Sequence, residues 1–238
     1  GTMAGLLVND GSLRWDSKVT DYVPSFNLSD PAATRRVTVA DLLSHRVGLK
    51  SHNAFDRDIE ANGEYYGVSQ KLASAPLNCA PGQCYAYQNV AFSLIGDVVF
   101  AATGSFYDQA VDRRIFKPLG MSDASIGLTG IESSSRWARP HVRSRNGWVS
   151  LMPKPTYYRL PPAAGVNASA SDMAQWLIAQ TGHRPDVLPA PLLATLHAPI
   201  ISTPGEMRSG WRRERIHSAS YALGWRVFDY AGQQVVFH

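Results

Sequence analysis

Helices first and strands last: the sequence predicts a helix-rich chain that finishes in β-structure. Two observations carry this. Between Val90 and Thr103, the residues Val90, Ala91, Leu94, Ile95, Val98, Val99 and Ala102 form a broad apolar face at helical spacing. From Leu223 the pattern changes to period two: Leu223 to Tyr230, a turn at Ala231-Gly232, then Gln233 to His238, a β-hairpin pattern. The change divides the chain into a helical and looped part over about residues 10–205 and the first strands of a sheet over 206–238.

Taken in order, residues 1–9 read as the tail of an apolar helix, closed by Asp10-Gly11. That helix has no N-cap, so it is expected to begin upstream. Asp16 to Tyr22 is a short amphipathic turn stopped by Pro24. Thr38-Val-Ala-Asp41 has the layout of a capping box, followed by Leu42, Leu43 and a stop at Gly48. Ser51 to Gly67 is polar and irregular and is expected to be a surface excursion, with a short helix at Val68 to Ala75 before Pro76. Asn89 is expected to cap the strong helix and Gly104 to end it. A second helix follows from Ser105 to Phe116, ended by Pro118 and Gly120. Residues 121–160 read as loops with a few strands. Ser169-Ala-Ser-Asp172 caps a helix through Met173, Trp176, Leu177 and Ile178 that stops near Gly182, and Pro191 to Leu196 is another short helix. The last strand halts at His238, so the chain reads as truncated at both ends.

Bulk composition narrows the function classes. The 238 residues are 45% hydrophobic and 18% charged, ordinary for a globular protein with a sizeable core. The formal charge is +4; arginines gather at Arg136 to Arg145 and at Arg212-Arg213-Glu214-Arg215 without the aromatic interleaving of a nucleic-acid surface. These are read as solvated loops, with room for one arginine near an anionic substrate. No apolar run reaches the ~20 residues needed to cross a bilayer. Cys79 and Cys84 flank Ala80-Pro81-Gly82-Gln83, a spacing that fits either a small disulfide loop or two free thiols. A disulfide would indicate the periplasm or the outside of a cell. The histidines are scattered, so no metal site is expected.

Tyr87-Gln88-Asn89 lies between the cysteine loop and the strong helix. Residues spaced i and i+2 on an extended backbone face the same side, so a phenol and an amide can serve one pocket. A tyrosine so placed can move protons for a nucleophile. It also lies at the positive end of a buried helix. The plain alternative is a packed ring beside a helix cap.

Several segments together resemble the serine β-lactamase and penicillin-binding-protein superfamily, on the side of class C β-lactamases and related esterases and D-alanyl-D-alanine peptidases. Leu42-Leu-Ser-His-Arg-Val-Gly-Leu49 is similar to that group's Leu-Leu-(Ser/Thr)-His-Thr-Ser-Gly-Leu. Pro81-Gly82 followed by Tyr87-Gln88-Asn89 resembles its Pro-Gly plus Tyr-x-Asn element. Ile115-Phe-Lys-Pro-Leu-Gly-Met121, Ala164 to Trp176 and Tyr221-Ala-Leu-Gly-Trp225 resemble three later segments in family order. The resemblance covers nearly the whole chain. It implies a single α+β domain, an antiparallel sheet flanked by helices plus a helical region, with the sheet incomplete in these residues.

The chemistry this resemblance implies is acyl transfer through a serine ester, with no cofactor, on β-lactam, ester or D-Ala peptide substrates. It needs Ser-x-x-Lys, then Tyr-x-Asn, then Lys-Thr-Gly or His-x-Gly. Lys18, Lys50, Lys71, Lys117 and Lys154 are preceded three residues earlier by Trp15, Val47, Val68, Arg114 and Leu151, so these residues contain no Ser-x-x-Lys. The nucleophile is expected upstream of Gly1. Tyr87 then acts as the base, its tyrosinate favoured by the missing lysine, and Asn89 orients that lysine or the substrate. His238 is either a frayed terminus or the start of a His-x-Gly that borders the substrate. Histidine there would point toward the esterase and peptidase relatives rather than dedicated β-lactamases. Taken literally, without a Ser-x-x-Lys, the chain favours a binding module for peptidoglycan-like or penicillin-like ligands with no turnover. Either way the partner is a small molecule or peptide, in a periplasmic or secreted protein. Oligomeric state is not legible. The isolated residues are expected to leave the sheet-facing surface of Val90–Thr103 partly uncovered and to need the missing ends for stability.

Overall fold

The computed structural model describes every residue except Ser209 and Trp211, and the Arg213 side chain. Eight strands occur among the described residues: β1 (Ser125–Ile126), β2 (His141–Ser144), β3 (Gly147–Ser150), β4 (Val166–Asn167), β5 (Ile201–Ser202), β6 (Ile216–Tyr221), β7 (Arg226–Tyr230) and β8 (Gln233–Phe237). The first four form two small antiparallel pairs, β1 with β4 and β2 with β3. The last four form one antiparallel sheet in the order β5-β6-β7-β8. Helices make up most of the remainder, so the fold is α+β with helices and sheet segregated along the chain.

The Asn89–Thr103 helix is the centre of the core, with Val90, Ala91, Leu94, Ile95, Val98 and Val99 all buried. On the same helix Phe92 and Ala102 are half-buried and Phe100 is 45% exposed. The Val39–Leu43 helix, the Pro161–Ala164 turn and the Tyr65–Gln70 helix pack against it. Gly104 closes it in the left-handed region at φ 70°. The N-cap is Gln88 rather than Asn89, which is the first helical residue. The Asn89 side chain instead donates from Nδ2 to Asp56 Oδ2 at 2.7 Å.

Both capping boxes form. Thr38 Oγ1 accepts the Asp41 N–H at 3.1 Å and Ser169 Oγ accepts the Asp172 N–H at 3.1 Å, each carboxylate reaching back to its cap. The helix predicted at Ser105–Phe116 starts at Tyr107 and continues through a wide turn, Asp112–Phe116, into Lys117–Leu119. Pro118 lies inside this helical run rather than ending it, and Gly120 closes it in the left-handed region at φ 72°. The stretch from Ser51 to Gly67 is not a plain surface excursion. It contains the Asp56–Glu60 helix and the start of Tyr65–Gln70, and it buries Asp56 and Ile59.

The sheet begins earlier than residue 206, at Ile201, and β6 is an addition to the predicted hairpin. Tyr221 closes β6, and residues 222–225 turn into β7 rather than opening a strand. Gly224 N–H donates to the Leu43 carbonyl at 2.8 Å, which ties this turn to the capping-box helix. A small second cluster, Ile216, Ala219 and Phe228 with Phe237, packs on the sheet. Among the described residues no single helix is long and apolar enough to cross a membrane. Of the Arg212–Arg215 group, Arg212 pairs with Glu206 and Arg215 donates to Tyr230 Oη; the Arg213 side chain lies outside the described residues.

Candidate active site

Two loop segments, residues 45–54 and 79–88, lie side by side and hold the Tyr87 turn between them. Ala86 N–H donates to the His45 carbonyl at 3.0 Å and Asn53 N–H to the Tyr87 carbonyl at 2.7 Å. Gln88 is buried, its Oε1 accepting the Ala54 N–H at 3.1 Å and its Nε2 donating to the Ser51 carbonyl. Cys79 and Cys84 are joined by a disulfide just ahead of the turn. Gly48 lets the two segments approach. Its φ is +99°, and a methyl on its Cα would lie 2.6 Å from the Cys79 carbonyl oxygen.

Tyr87, Asn89 and His238 line one cavity of about 290 Å³, with His45, Tyr221 and Trp225. Its other walls are largely apolar, including Phe92, Tyr107, Ile115 and Trp176. Tyr87 Oη and His238 Nε2 are 3.2 Å apart. His238 Nδ1 lies 3.2 Å from Tyr221 Oη, which lies 3.0 Å from His45 Nε2. The His45 ring stacks on Phe92 at 5.1 Å between centroids and meets Tyr221 edge-on at 4.7 Å. Asn89 Nδ2 donates to Asp56 Oδ2 at 2.7 Å.

Arg226 is the cation of this site. Its guanidinium lies 5.6 Å from the Tyr87 ring centroid and 5.8 Å from that of Tyr221, and it pairs with Glu206. Burial pushes the Tyr87 phenol up, Arg226 pulls it down, and Asp56 raises it again; the net direction is up. The tyrosinate favoured by the sequence argument therefore does not arise from the groups present here. Burial holds His45 well below the ordinary histidine range, aided by His238 and Arg226, and also lowers His238. Among the described residues, no group of three His, Cys, Asp or Glu is placed to hold a metal ion.

Sequence reasoning picked out Tyr87, Asn89 and His238, and the fold gathers all three on one cavity. It missed His45, Tyr221, Arg226 and Asp56. His45 and Tyr221 stood inside segments already singled out, each followed by residues of a tight turn. Arg226 belongs to neither arginine cluster. Asp56 had no local signal, since its partner is 33 residues away.

A helical region set against an antiparallel sheet is the architecture of a β-lactamase-like fold. The sequence model of the Beta-lactamase family matches residues 1–238, and the chain belongs to that family. It is 27% identical to penicillin-binding protein 4 of Amycolatopsis lactamdurans, over 97% of this chain and 60% of that protein. It is 25% identical to the unguisins hydrolase of Aspergillus campestris, over 98% of this chain and 44% of that one. The chain thus spans about half the length of the curated relatives it matches. Among solved structures, an octameric penicillin-binding protein homologue from Pyrococcus abyssi superposes with a TM-score of 0.82 at 20% identity, over 100% of this chain and 53% of that one. A D-stereospecific amidohydrolase from Streptomyces sp. gives 0.75 at 19% identity, over 100% and 70%. These similarities make the chain part of a β-lactamase-like hydrolase family.

Proposed function

We propose that this chain supplies the greater part of a serine hydrolase site that transfers acyl groups from β-lactam, ester or D-Ala peptide substrates through a serine ester. The observation that carries the reading is the meeting of Tyr87, Asn89 and His238 on one apolar-walled cavity. A serine supplied by the full-length protein attacks the substrate carbonyl carbon, and the lysine of the same motif shares the proton relay with Tyr87. Tyr87 passes its own proton along that relay toward the leaving group as it receives one from the serine, and water then releases the acyl group by the reverse route. Asn89, held by Asp56, presents its carbonyl oxygen to the lysine or to a substrate amide. His238 borders the cleft and contacts the substrate carbonyl or carboxylate. A disulfide at Cys79–Cys84 supports work in an oxidising place, the periplasm or outside the cell.

The second reading, a module that binds such ligands without turnover, rests on the lack of Ser-x-x-Lys in the 238 residues. One experiment separates the two. The full-length protein is incubated with a chromogenic ester and with a labelled penicillin, and its intact mass is measured. A covalent acyl adduct with turnover is the expected result. Saturable binding without an adduct, or a full-length sequence lacking Ser-x-x-Lys, transfers the assignment to the binding module.

A further inference from the structure

A run of three side chains behind Tyr87 begins at a peptide group, and that origin gives the run a direction. Gln88 N–H faces His45 Nδ1 at 3.1 Å. A peptide N–H can only donate, so Nδ1 is the acceptor nitrogen and the single proton of the neutral ring is on Nε2. His45 is 2% exposed and stays neutral. Its Nε2–H donates to Tyr221 Oη at 3.0 Å. The Tyr221 hydroxyl is fully buried, and among the described residues His238 Nδ1 at 3.2 Å is the acceptor left for its proton, so it donates there. His238 in turn carries its proton on Nε2, which faces Tyr87 Oη at 3.2 Å.

We propose that His45 and Tyr221 are positioning residues that orient this hydrogen-bond chain, so that Tyr87 oxygen always receives an N–H and its own proton is aimed at the reacting groups. The proposal rests on the reading of Tyr87 as the proton carrier. Each neutral group has one proton to give, so a direction fixed at the peptide end fixes every link after it. An N–H donated to the phenol oxygen stabilises the phenolate that forms when Tyr87 gives up its proton. This works with Arg226 and against burial and Asp56. Other ionisable groups around the chain include Tyr85, edge-on to His45 at 6.1 Å, His52, which accepts the Tyr87 N–H at 3.0 Å, and the Gly1 amino group on the cavity wall, which lowers His45 and His238. Glu206 is occupied by Arg226. None of them touches the links of the chain.

A merely structural role for two packed rings would leave the protonation pattern of His238 alone, and this separates the alternatives. Nitrogen spectra of the imidazoles are recorded for the ¹⁵N-labelled protein at a pH where both histidines are neutral. His45 and His238 are each expected as the single Nε2–H tautomer. Tyr221→Phe removes one oxygen and keeps the ring. His45→Asn keeps an acceptor for Gln88 and tolerates the left-handed backbone at φ 56°, but lacks the far donor. In both variants His238 is expected to become a mixture of tautomers, and His45→Gln, with a donor at the far position, to restore the single form. In the full-length enzyme Tyr221→Phe is expected to lower kcat roughly tenfold with KM unchanged, about the worth of one lost hydrogen bond. An unchanged His238 tautomer or unchanged kcat in folded Tyr221→Phe overturns the proposal, even if His45 variants fail to fold. Full turnover by Tyr87→Phe would instead remove the role of Tyr87 itself, whatever the spectra read.

Discussion

The Asn89 side-chain amide donates to Asp56 Oδ2 across 2.7 Å, joining the second residue of the Tyr-x-Asn turn to a buried carboxylate. Asp56 is 6% exposed, and the Tyr157 hydroxyl approaches it as well. Burial raises its pKa, the Asn89 hydrogen bond pulls it back, Glu60 adds to the rise, and Tyr157 lowers it slightly. An acid held above its unfolded value binds its proton more tightly when folded. Its contribution is therefore most favourable below the usual carboxylate pKa of about 3.9 and declines as pH rises through the folded value. Asp56→Asn is expected to flatten that decline in urea unfolding measured across the acid range. An unaltered slope would show that Asp56 does not carry it.

His45 has the opposite sign. Burial depresses its pKa, so the folded state keeps it neutral while the unfolded chain takes up a proton near pH 6.5. The stability this withholds is fully present above that pH and is lost as pH falls below it. His45→Asn is expected to reduce the proton uptake on unfolding in that window. His197 and His238 are lowered as well and will keep part of the slope. Calorimetric unfolding in buffers of different ionisation heat measures the uptake directly, and equal values for wild type and variant would refute the assignment.

Tyr87→Phe tests the chemistry. Its ring meets His45 at 4.3 Å and needs no hydroxyl to pack there. General acid–base catalysis contributes about 10²–10⁴-fold. The variant full-length enzyme should therefore fold normally and lose at least about a hundredfold in kcat for ester hydrolysis. Undiminished turnover excludes Tyr87 as the proton carrier.

What could be read in the sequence followed from how local each signal was. The Thr38–Asp41 and Ser169–Asp172 caps are four-residue devices, and both formed as written. The Asn89–Thr103 helix and the β7–β8 hairpin carried unbroken periods. β6 did not, because the pairing register shifts between Ile216 and Ser218, leaving His217 and Ser218 exposed side by side. Within the site, Tyr87 and Asn89 were visible as neighbours in a turn. His45 and Tyr221 touch across 176 residues, and only the sheet's docking on the helical region brings them together. Arg226 was invisible for the same reason, being one more residue on a strand until the strand is paired.

Gly48 is the sharpest backbone requirement near the site. An alanine there is strained at φ +99° and drives its methyl to 2.6 Å from the Cys79 carbonyl oxygen. Left-handed backbone alone costs a side chain about 1–2 kcal/mol, and the contact adds to that. Gly48→Ala is expected to lower the unfolding free energy by about 2 kcal/mol or more. Thermal and urea unfolding of the variant check it. A loss near zero would mean that residues 45–54 and 79–88 can separate without consequence.

The Cys79–Cys84 bond closes a loop with a sequence separation of 5. So short a loop restrains the unfolded chain only modestly, by about 2 kcal/mol in the chain-entropy account. The folded loop has other ties: Gly82 N–H donates to the Arg46 carbonyl at 2.8 Å, and Ala86 N–H to the His45 carbonyl at 3.0 Å. Arg46 also pairs with Asp41 at 3.0 Å, which fastens the loop to the capping-box helix. With these in place, the Tyr87 turn does not depend on the disulfide for its shape. Reduction, or a Cys79→Ser and Cys84→Ser double variant, is therefore expected to lower the urea midpoint while leaving the His45 and His238 imidazole spectra as they are in the oxidised protein. The contrast is what makes the measurement informative. A shifted His238 signal would show that the bond shapes the site, and an unmoved midpoint would show that it contributes nothing to stability.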